Sequence, residues 1–163
     1  HATERSTVPA PGFPFTVKRS TLHASIMAER FEDLRAWQTA RELTNRIYAI
    51  TKRDPFKNDW ALKDQIRRSS ISVMSNIAEG FEARTQAQFI DFLGTAKASA
   101  GEVRSQLYIA YDQDYLGEEE FESLFDLADK ASRQLHRLIR HLEQDGGMGH
   151  VHELPAKYVA EAS

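Results

Sequence analysis

The sequence has 163 residues, a formal net charge of -3 and no cysteine. A chain of this length corresponds to one domain that can bury a core, and the absence of cysteine excludes disulfides, thiolate metal sites and a cysteine nucleophile. The net charge gives no overall attraction to nucleic acid or anionic lipid, and no apolar run approaches the roughly 18 residues of a membrane span.

Helix-breaking residues open the chain and follow its last helical pattern. Three prolines interrupt residues 1–29, which show no lasting periodicity and are expected to be a flexible leader. Glycines recur shortly after residue 145, so residues 145–163 are expected to form a flexible tail. Residues 30–144 remain and are predicted to form a single helical domain.

The first two helices are predicted at residues 32–53 and 59–79. In the first helix, apolar residues recur at steps of three and four. Asp54-Pro55 ends this helix because the residue before proline disfavours helical angles. Gly80 is expected to follow the second helix as a cap in the left-handed conformation.

The third and fourth helices are predicted at residues 86–113 and 118–144. A capping-box pattern begins the third helix, and three glutamates lie at the positive end of the fourth. The core stripes of these helices are expected to include Tyr111, Phe121 and Phe125. Short connections between four long amphipathic helices predict an all-α, antiparallel up-down-up-down four-helix bundle.

The second helix carries more apolar surface than a bundle requires. At 100° per residue, a second apolar arc lies about 110° from its core stripe. A bundle helix needs one apolar stripe, so this arc is predicted to be buried against another subunit. The alternative is that the arc only shields an edge of the bundle. Its members are Trp60, Ile71, Met74 and Ala78.

Polar residues flank the core stripes of the second and third helices on the same rotational side. Antiparallel neighbours can turn such stripes toward each other, so we predict a polar seam whose members satisfy one another's hydrogen bonds. In this seam Arg68 would neutralise Glu79 or Glu102. An active site built around these two glutamates is the alternative. The seam residues are Gln65, Arg68, Ser72, Asn76 and Glu79 on the second helix and Ser99, Glu102 and Gln106 on the third.

Basic residues form local groups although the chain is acidic overall. Residues 85–129 contain 10 acidic and 2 basic residues, whereas residues 130–140 contain four basic residues and no acid. Without interleaved aromatic residues, such groups suit phosphate contacts rather than base reading. Ordinary solvated helix faces are the alternative. The candidate nucleic-acid contacts are Arg35, Arg46 and Arg53 on the first helix and Lys130, Arg133, Arg137 and Arg140 on the fourth.

The sequence contains no recognisable catalytic or metal-binding motif. Di-iron bundles require Glu-x-x-His, which does not occur, and His136 and His141 have no acid placed to join them. Glycine-rich phosphate loops, zinc-metalloprotease motifs and nucleophile elbows are also absent. We therefore expect a protein that is not an enzyme and that has no metal or cofactor.

One long segment carries a family resemblance. The stretch from Gln65 to Gly80, QIRRSSISVMSNIAEG, resembles the signature of the bacterial four-helix-bundle family known as the 23S rRNA intervening-sequence proteins. A departure is Lys57-Asn58-Asp59-Trp60, where the family more often has Glu followed by an aromatic residue and Leu. The resemblance extends through Phe31-Glu32-Asp33-Leu34, Trp37-Gln38, Tyr48, Arg84, Phe89, Phe92, Ala96, Ser99, Glu102, Gln106 and Tyr115-Leu116.

The resemblance implies a cytoplasmic, non-enzymatic bundle that assembles as a homopentameric ring. The lack of a long apolar run predicts that the protein has no membrane partner. Some relatives are encoded inside intervening sequences of large-subunit rRNA genes. A similar bundle, the accessory protein of diversity-generating retroelements, binds RNA and a reverse transcriptase. Two functions therefore remain open: an oligomeric RNA- or DNA-binding accessory protein, and a protein-interaction scaffold with no nucleic-acid role.

Overall fold

The computed structural model describes residues 25–146 and 153–161. Residues 1–24, which belong to the expected leader, lie outside the described residues. The elements are β1 (Ser25–Met27), α1 (Arg35–Thr51), α2 (Trp60–Phe81), α3 (Gln86–Asp112), α4 (Glu118–Gln144) and β2 (Glu153–Pro155), with 3-10 turns at Phe31–Asp33, Phe56–Asn58 and Ala156–Tyr158. The four predicted helices are confirmed. The first begins later than predicted because the residues before it form a separate 3-10 turn.

Side-chain caps fix where the helices begin. Oδ1 of Asp59 accepts a hydrogen bond of 3.0 Å from the backbone N–H of Leu62, at the start of α2. Oγ1 of Thr85 accepts one of 3.2 Å from the backbone N–H of Gln88, at the start of α3. Both bonds satisfy backbone donors that the first helical turn leaves free. Three glutamates follow Gly117 at the start of α4, where negative charge is favourable.

The helices pack in chain order, each against the next, and α1 closes the bundle against α4. In this arrangement the α1–α2 face lies opposite the α3–α4 face, and the α2–α3 face lies opposite the α1–α4 face. All four helices contribute fully buried side chains to the core, including Leu43, Ile47, Ile66, Ile77, Leu93, Leu107, Leu124 and Leu135. The predicted all-α four-helix bundle is confirmed.

Gly80 lies inside α2, so the prediction that it caps the helix from outside is wrong. A Cβ at this position would lie 2.8 Å from Cβ of Phe92 and 2.9 Å from Cδ2 of Phe89. Both distances are shorter than ordinary van der Waals contact. The glycine is therefore required by the close approach of α2 and α3 near the turn that joins them.

Residues 153–161, which belong to the expected flexible tail, pack against one end of the bundle. β2 pairs antiparallel with β1, from the expected leader. Leu154 and Val159 are buried in the same apolar cluster as residues of the helices. The amide of Ala160 donates a hydrogen bond of 2.7 Å to the carbonyl of Asp33. The segment is held in place by burial of Leu154 and Val159 and by its backbone hydrogen bonds to β1 and Asp33.

Candidate functional site

Hydroxyl and amide side chains line the contact between α2 and α3. The Oγ atoms of Ser72 and Ser99 lie 2.8 Å apart. The side-chain amide of Asn76 donates a hydrogen bond of 3.0 Å to Oγ of Ser72. The structure therefore brings three of the seam residues into one hydrogen-bonded group.

Ser69, which sequence reasoning missed, joins two further seam residues. Its hydroxyl donates a hydrogen bond of 3.0 Å to Oε2 of Glu102 and accepts one of 3.0 Å from Nε2 of Gln106. A signal for Ser69 was present in the sequence. It lies four residues after Gln65 and three before Ser72, which places it on the same stripe of the helix.

The remaining seam residues point elsewhere. Nε of Arg68 donates a hydrogen bond of 2.8 Å to Asp64, one turn earlier on the same helix. The prediction that Arg68 neutralises Glu79 or Glu102 is therefore wrong, because a neighbour four residues away on α2 offers a nearer carboxylate. Gln65 and Glu79 are exposed. The contacts show a group of polar side chains that hydrogen-bond to one another between two helices. One buried atom of the group, Oε1 of Gln106, has no hydrogen-bond partner among the described residues.

Three basic residues line a concavity of about 240 Å³ between α1, α4 and the segment after β2. They are Arg35, Arg137 and Lys157, and the described residues that line the concavity with them include no Asp or Glu. We call this site the basic concavity. Lys157 could not be predicted as a member, because it lies in the expected tail and its partners are distant in sequence.

Hydrogen bonds to the backbone hold the basic concavity together. Nε of Arg35 donates a hydrogen bond of 2.9 Å to the carbonyl of Val159. The hydroxyl of Tyr158 donates one of 3.1 Å to the carbonyl of Arg137. Both bonds join the segment after β2 to a helix of the bundle. The segment therefore places Lys157 beside the two arginines.

One other candidate cation extends the same side of the bundle. Lys130 lies seven residues before Arg137 on α4, a spacing that returns to the same stripe of a helix, and among the described residues it has no carboxylate within ion-pair distance. The α1–α4 basic face is defined by Arg35, Lys130, Arg137 and Lys157. Arg46 instead lines a larger concavity of about 960 Å³ beside α1, whose lining also includes acidic residues: Glu29, Glu32, Asp33, Glu42 and Glu161.

The other three candidate cations are separated from this face or neutralised. Nη1 of Arg53 donates a hydrogen bond of 3.0 Å to Glu120, and this bond raises the pKa of Arg53 above its ordinary value. Arg133 pairs at 2.7 Å with Asp129, which also binds Arg104 of α3. Arg133 therefore lies on the α3 side of α4, and Arg140, seven residues later, shares its stripe.

The predicted subunit-contact residues lie on the side of α2 that faces α1. Trp60 is 74% exposed and Ile71 is 40% exposed, while Met74 and Ala78 are half-buried. Basic residues on the same stripe cover nearby rings: Nζ of Lys63 lies 3.6 Å from the ring centroid of Trp60, and Cζ of Arg67 lies 4.4 Å from that of Tyr48. The α1–α2 face is defined by Tyr48, Trp60, Lys63, Arg67, Ile71, Met74 and Ala78.

Four aromatic rings form a partly exposed cluster on the α3–α4 face. The ring of Phe121 lies 5.1 Å from Tyr108, 4.9 Å from Tyr111 and 5.6 Å from Phe125. Tyr108 is 51% exposed and Tyr111 is 37% exposed. The prediction that Tyr111 belongs to the core stripe is therefore wrong, because its position on α3 lies at the edge of the α4 contact. We call these four residues the aromatic cluster.

Residues 25–146 and 153–161 present neither a membrane-spanning helix nor a metal site. In these ranges no helix is long and apolar enough to span a membrane. The same residues contain no group of three or more His, Asp or Glu side chains placed to hold a metal ion. The features that the described part of the chain presents are thus a polar seam, a basic face and two apolar surfaces.

The fold and these surfaces define a four-helix-bundle protein. Residues 32–137 match the family model of the 23S rRNA-intervening sequence proteins, and the chain belongs to this family. A crystal structure of a protein of unknown function from the S23 ribosomal protein family of Bacteroides thetaiotaomicron VPI-5482 is similar, with a TM-score of 0.60 and 25% identity over 64% of this chain and 98% of that chain. No curated protein matches the chain. The family resemblance inferred from the sequence is confirmed.

Proposed function

We propose that this protein is a non-enzymatic, cytoplasmic, homo-oligomeric bundle that binds the phosphate backbone of RNA or DNA through the α1–α4 basic face. The observation that carries the proposal is the basic concavity, where Arg35, Arg137 and Lys157 line one site and no other described residue of its lining is acidic. Charges from three separate parts of the chain meet there. Such a site suits an anion whose oxygens point in several directions.

The donors of the basic concavity match the chemistry of a phosphate group. A guanidinium offers paired N–H donors to two oxygens, and an ammonium adds a compact charge. Nε of Arg35 is occupied by the carbonyl of Val159, so the terminal nitrogens of Arg35 remain to bind a ligand. Gln134 also lines the site, and its buried Oε1 has no hydrogen-bond partner among the described residues. Rotating this amide by 180° would present an additional donor.

The charge distribution restricts where a polyanion can bind. Residues 105–129 contain eight acidic residues and no basic one, and they lie at the end of the bundle that contains the α3–α4 turn. The basic concavity is at the other end, beside the start of α1. A nucleic acid is therefore attracted to one part of the surface and repelled by another.

The test is filter binding of a structured RNA and of a DNA duplex across a salt series. We expect the triple variant Arg35→Gln, Arg137→Gln and Lys157→Gln to bind weakly, with a salt dependence flatter by roughly two to three units of slope. The control is Lys52→Gln, Arg68→Gln and Lys97→Gln, which removes the same charge outside the basic face. Equal affinity of the two variants would contradict the proposal. If the wild-type protein binds neither probe at low salt, nucleic-acid binding is wrong and the function is that of a protein-interaction scaffold.

Assembly is the second part of the proposal. Trp60 and Ile71 leave large apolar side chains in water on the α1–α2 face. Burial of such surface stabilises association at about 25 cal/mol per Å², before the costs of association. We expect a homopentamer, the state that the family resemblance implies. Light scattering tests this, and a mass of 18.6 kDa at micromolar concentration would show a monomer instead.

A further inference from the structure

We infer that the basic concavity binds the terminal phosphate of an RNA or DNA strand, a phosphomonoester, in preference to a phosphodiester within the strand. The inference rests on the proposed nucleic-acid function and specifies which chemical group of the ligand the site takes. A phosphomonoester carries a charge of about −1.5 to −2 at pH 7 and offers three acceptor oxygens. A phosphodiester within a strand carries a single negative charge.

The cations of the basic concavity favour the more highly charged group. Arg35, Arg137 and Lys157 line a space of about 240 Å³, and no described residue of its lining is acidic. Among the described residues, none of the three side chains forms an ion pair with a carboxylate. Because the attraction between charges grows with their product, three uncompensated cations around one space bind a dianion more strongly than a monoanion.

The segment after β2 closes the groove between α1 and α4 at the end of the bundle. The hydroxyl of Tyr158 donates a hydrogen bond to the carbonyl of Arg137 on α4. The next residue, Val159, accepts one from Nε of Arg35 on α1. The ring of Tyr158 also lies 5.2 Å from that of His141, one turn beyond Arg137. A strand that follows the groove toward this end therefore meets the segment at the basic concavity and cannot continue along the groove.

Carboxylates limit the basic surface in the other direction. Lys130 continues the stripe of Arg137, about 10 Å along α4. Glu42 lies on the stripe of Arg35, about 10 Å along α1, and Asp126 lies one turn before Lys130. Both carboxylates are exposed. The positive surface outside the concavity is therefore short, which suits the end of a strand better than a long stretch of backbone.

The test compares short single-stranded RNA oligonucleotides of identical sequence that carry a 5′-phosphate, a 3′-phosphate or a hydroxyl group at both ends. Fluorescence anisotropy with a label on an internal base measures their affinities. We expect at least one phosphorylated oligonucleotide to bind the wild-type protein about tenfold more tightly than the hydroxyl oligonucleotide, the gain from one additional charge-assisted hydrogen bond. A preference for either phosphorylated end supports the inference, because the site binds the phosphomonoester rather than the sugar.

Two variants test whether this preference arises in the basic concavity. Arg137→Gln with Lys157→Gln should bind all three oligonucleotides with similar affinity, and Arg35 is retained because its bond to Val159 holds the segment. Lys130→Gln, outside the lining of the concavity, should weaken all three by a similar factor and preserve the preference. The three substituted positions are exposed, and circular dichroism establishes that the helical content is unchanged. A preference that survives in the double variant would overturn the inference.

Adenosine monophosphate distinguishes the end of a strand from a free phosphomonoester. It should bind more weakly than the preferred oligonucleotide, because it lacks the further phosphate that contacts Lys130. Equally tight binding would overturn the assignment of the site to a strand. Equal affinity of the wild-type protein for all three oligonucleotides would overturn the inference and leave the proposed nucleic-acid function intact. Absence of binding to every oligonucleotide, to structured RNA and to duplex DNA would contradict both.

Discussion

The hydroxyl of Tyr115 donates a hydrogen bond of 3.0 Å to Oδ2 of Asp59, whose other carboxylate oxygen caps α2. One carboxylate thus binds both the start of a helix and the turn between α3 and α4. The hydrogen bond raises the pKa of Tyr115 above its ordinary value of 10.0. The proton is therefore held more tightly in the folded chain than in the unfolded one.

This difference gives stability a pH dependence with a definite sign. The contribution of Tyr115 is fully present below its ordinary pKa of 10.0 and is lost as the pH rises through the higher pKa of the folded state. Tyr115→Phe should therefore lower the free energy of unfolding at neutral pH. When the pH is raised above 10, the free energy of unfolding of this variant should fall less than that of the wild type. Urea unfolding at both pH values measures this. Tyr111→Phe, which removes a hydroxyl that does not bind Asp59, is the control.

Two glycines in neighbouring helices should respond to alanine in opposite directions. Gly80→Ala places a methyl group 2.8 Å from Cβ of Phe92, and overpacking of this kind costs about 1–3 kcal/mol. Gly94→Ala meets no atom of the described residues within 4 Å and should stabilise the protein by up to about 1 kcal/mol through helix propensity. Denaturant unfolding of both variants is the measurement. If Gly80→Ala also stabilises the protein, α2 and α3 do not approach each other closely enough at this position to require glycine.

The polar seam should show coupling between its two serines. Ser72→Ala and Ser99→Ala each remove one side of a contact of 2.8 Å, and the double variant should cost less than the sum of the single variants, with a coupling of about 0.5–1.5 kcal/mol. A double-mutant cycle in urea measures this term. Ser75→Ala, at an exposed position of α2, should change stability by less than about 0.5 kcal/mol. Strict additivity would show that the two hydroxyls do not interact.

The segment after α4 should contribute measurably to stability. Leu154 is fully buried and belongs to a core cluster with residues of the helices. Leu154→Ala should therefore lower the free energy of unfolding by about 2–5 kcal/mol. Glu153→Ala, at the exposed neighbouring position, is the matched control. A similar small effect of both substitutions would mean that the segment packs only weakly on the bundle.

The helices could be predicted from the sequence because each repeats a local signal over many residues. Apolar residues return to one face of α1, α2, α3 and α4, and a stripe that spans several turns is difficult to mistake. Capping residues such as Asp59 and Thr85 lie directly beside the elements that they stabilise. The order of packing followed from the short connections between the helices.

The features that could not be predicted depend on exact rotation or on distant contacts. The prediction for Gly80 is wrong because glycine commonly follows the end of a helix, whereas here the close approach of α3 requires it inside the last turn of α2. The prediction for Tyr111 is wrong because helical spacing fixes a direction only to within tens of degrees, whereas the packing of a neighbouring helix decides whether a position is buried. Helical spacing predicts Glu79 of the same helix or Glu102 of α3 as the partner of Arg68, whereas Asp64, four residues earlier on α2, offers the nearer carboxylate. Lys157 follows a strand of three residues, which is too short to carry a periodic signal.

The pairing of β1 with β2 has a consequence for synthesis of the chain. The two strands meet in space but are separated in sequence by the whole bundle. At about 5–20 residues per second, β1 leaves the ribosome several seconds or more before its partner. Until then Ala28 and Leu34 lack the contacts of Leu154 and Val159, which belong to the same apolar cluster. The apolar cluster at this end of the bundle is therefore completed only after all four helices have been synthesised.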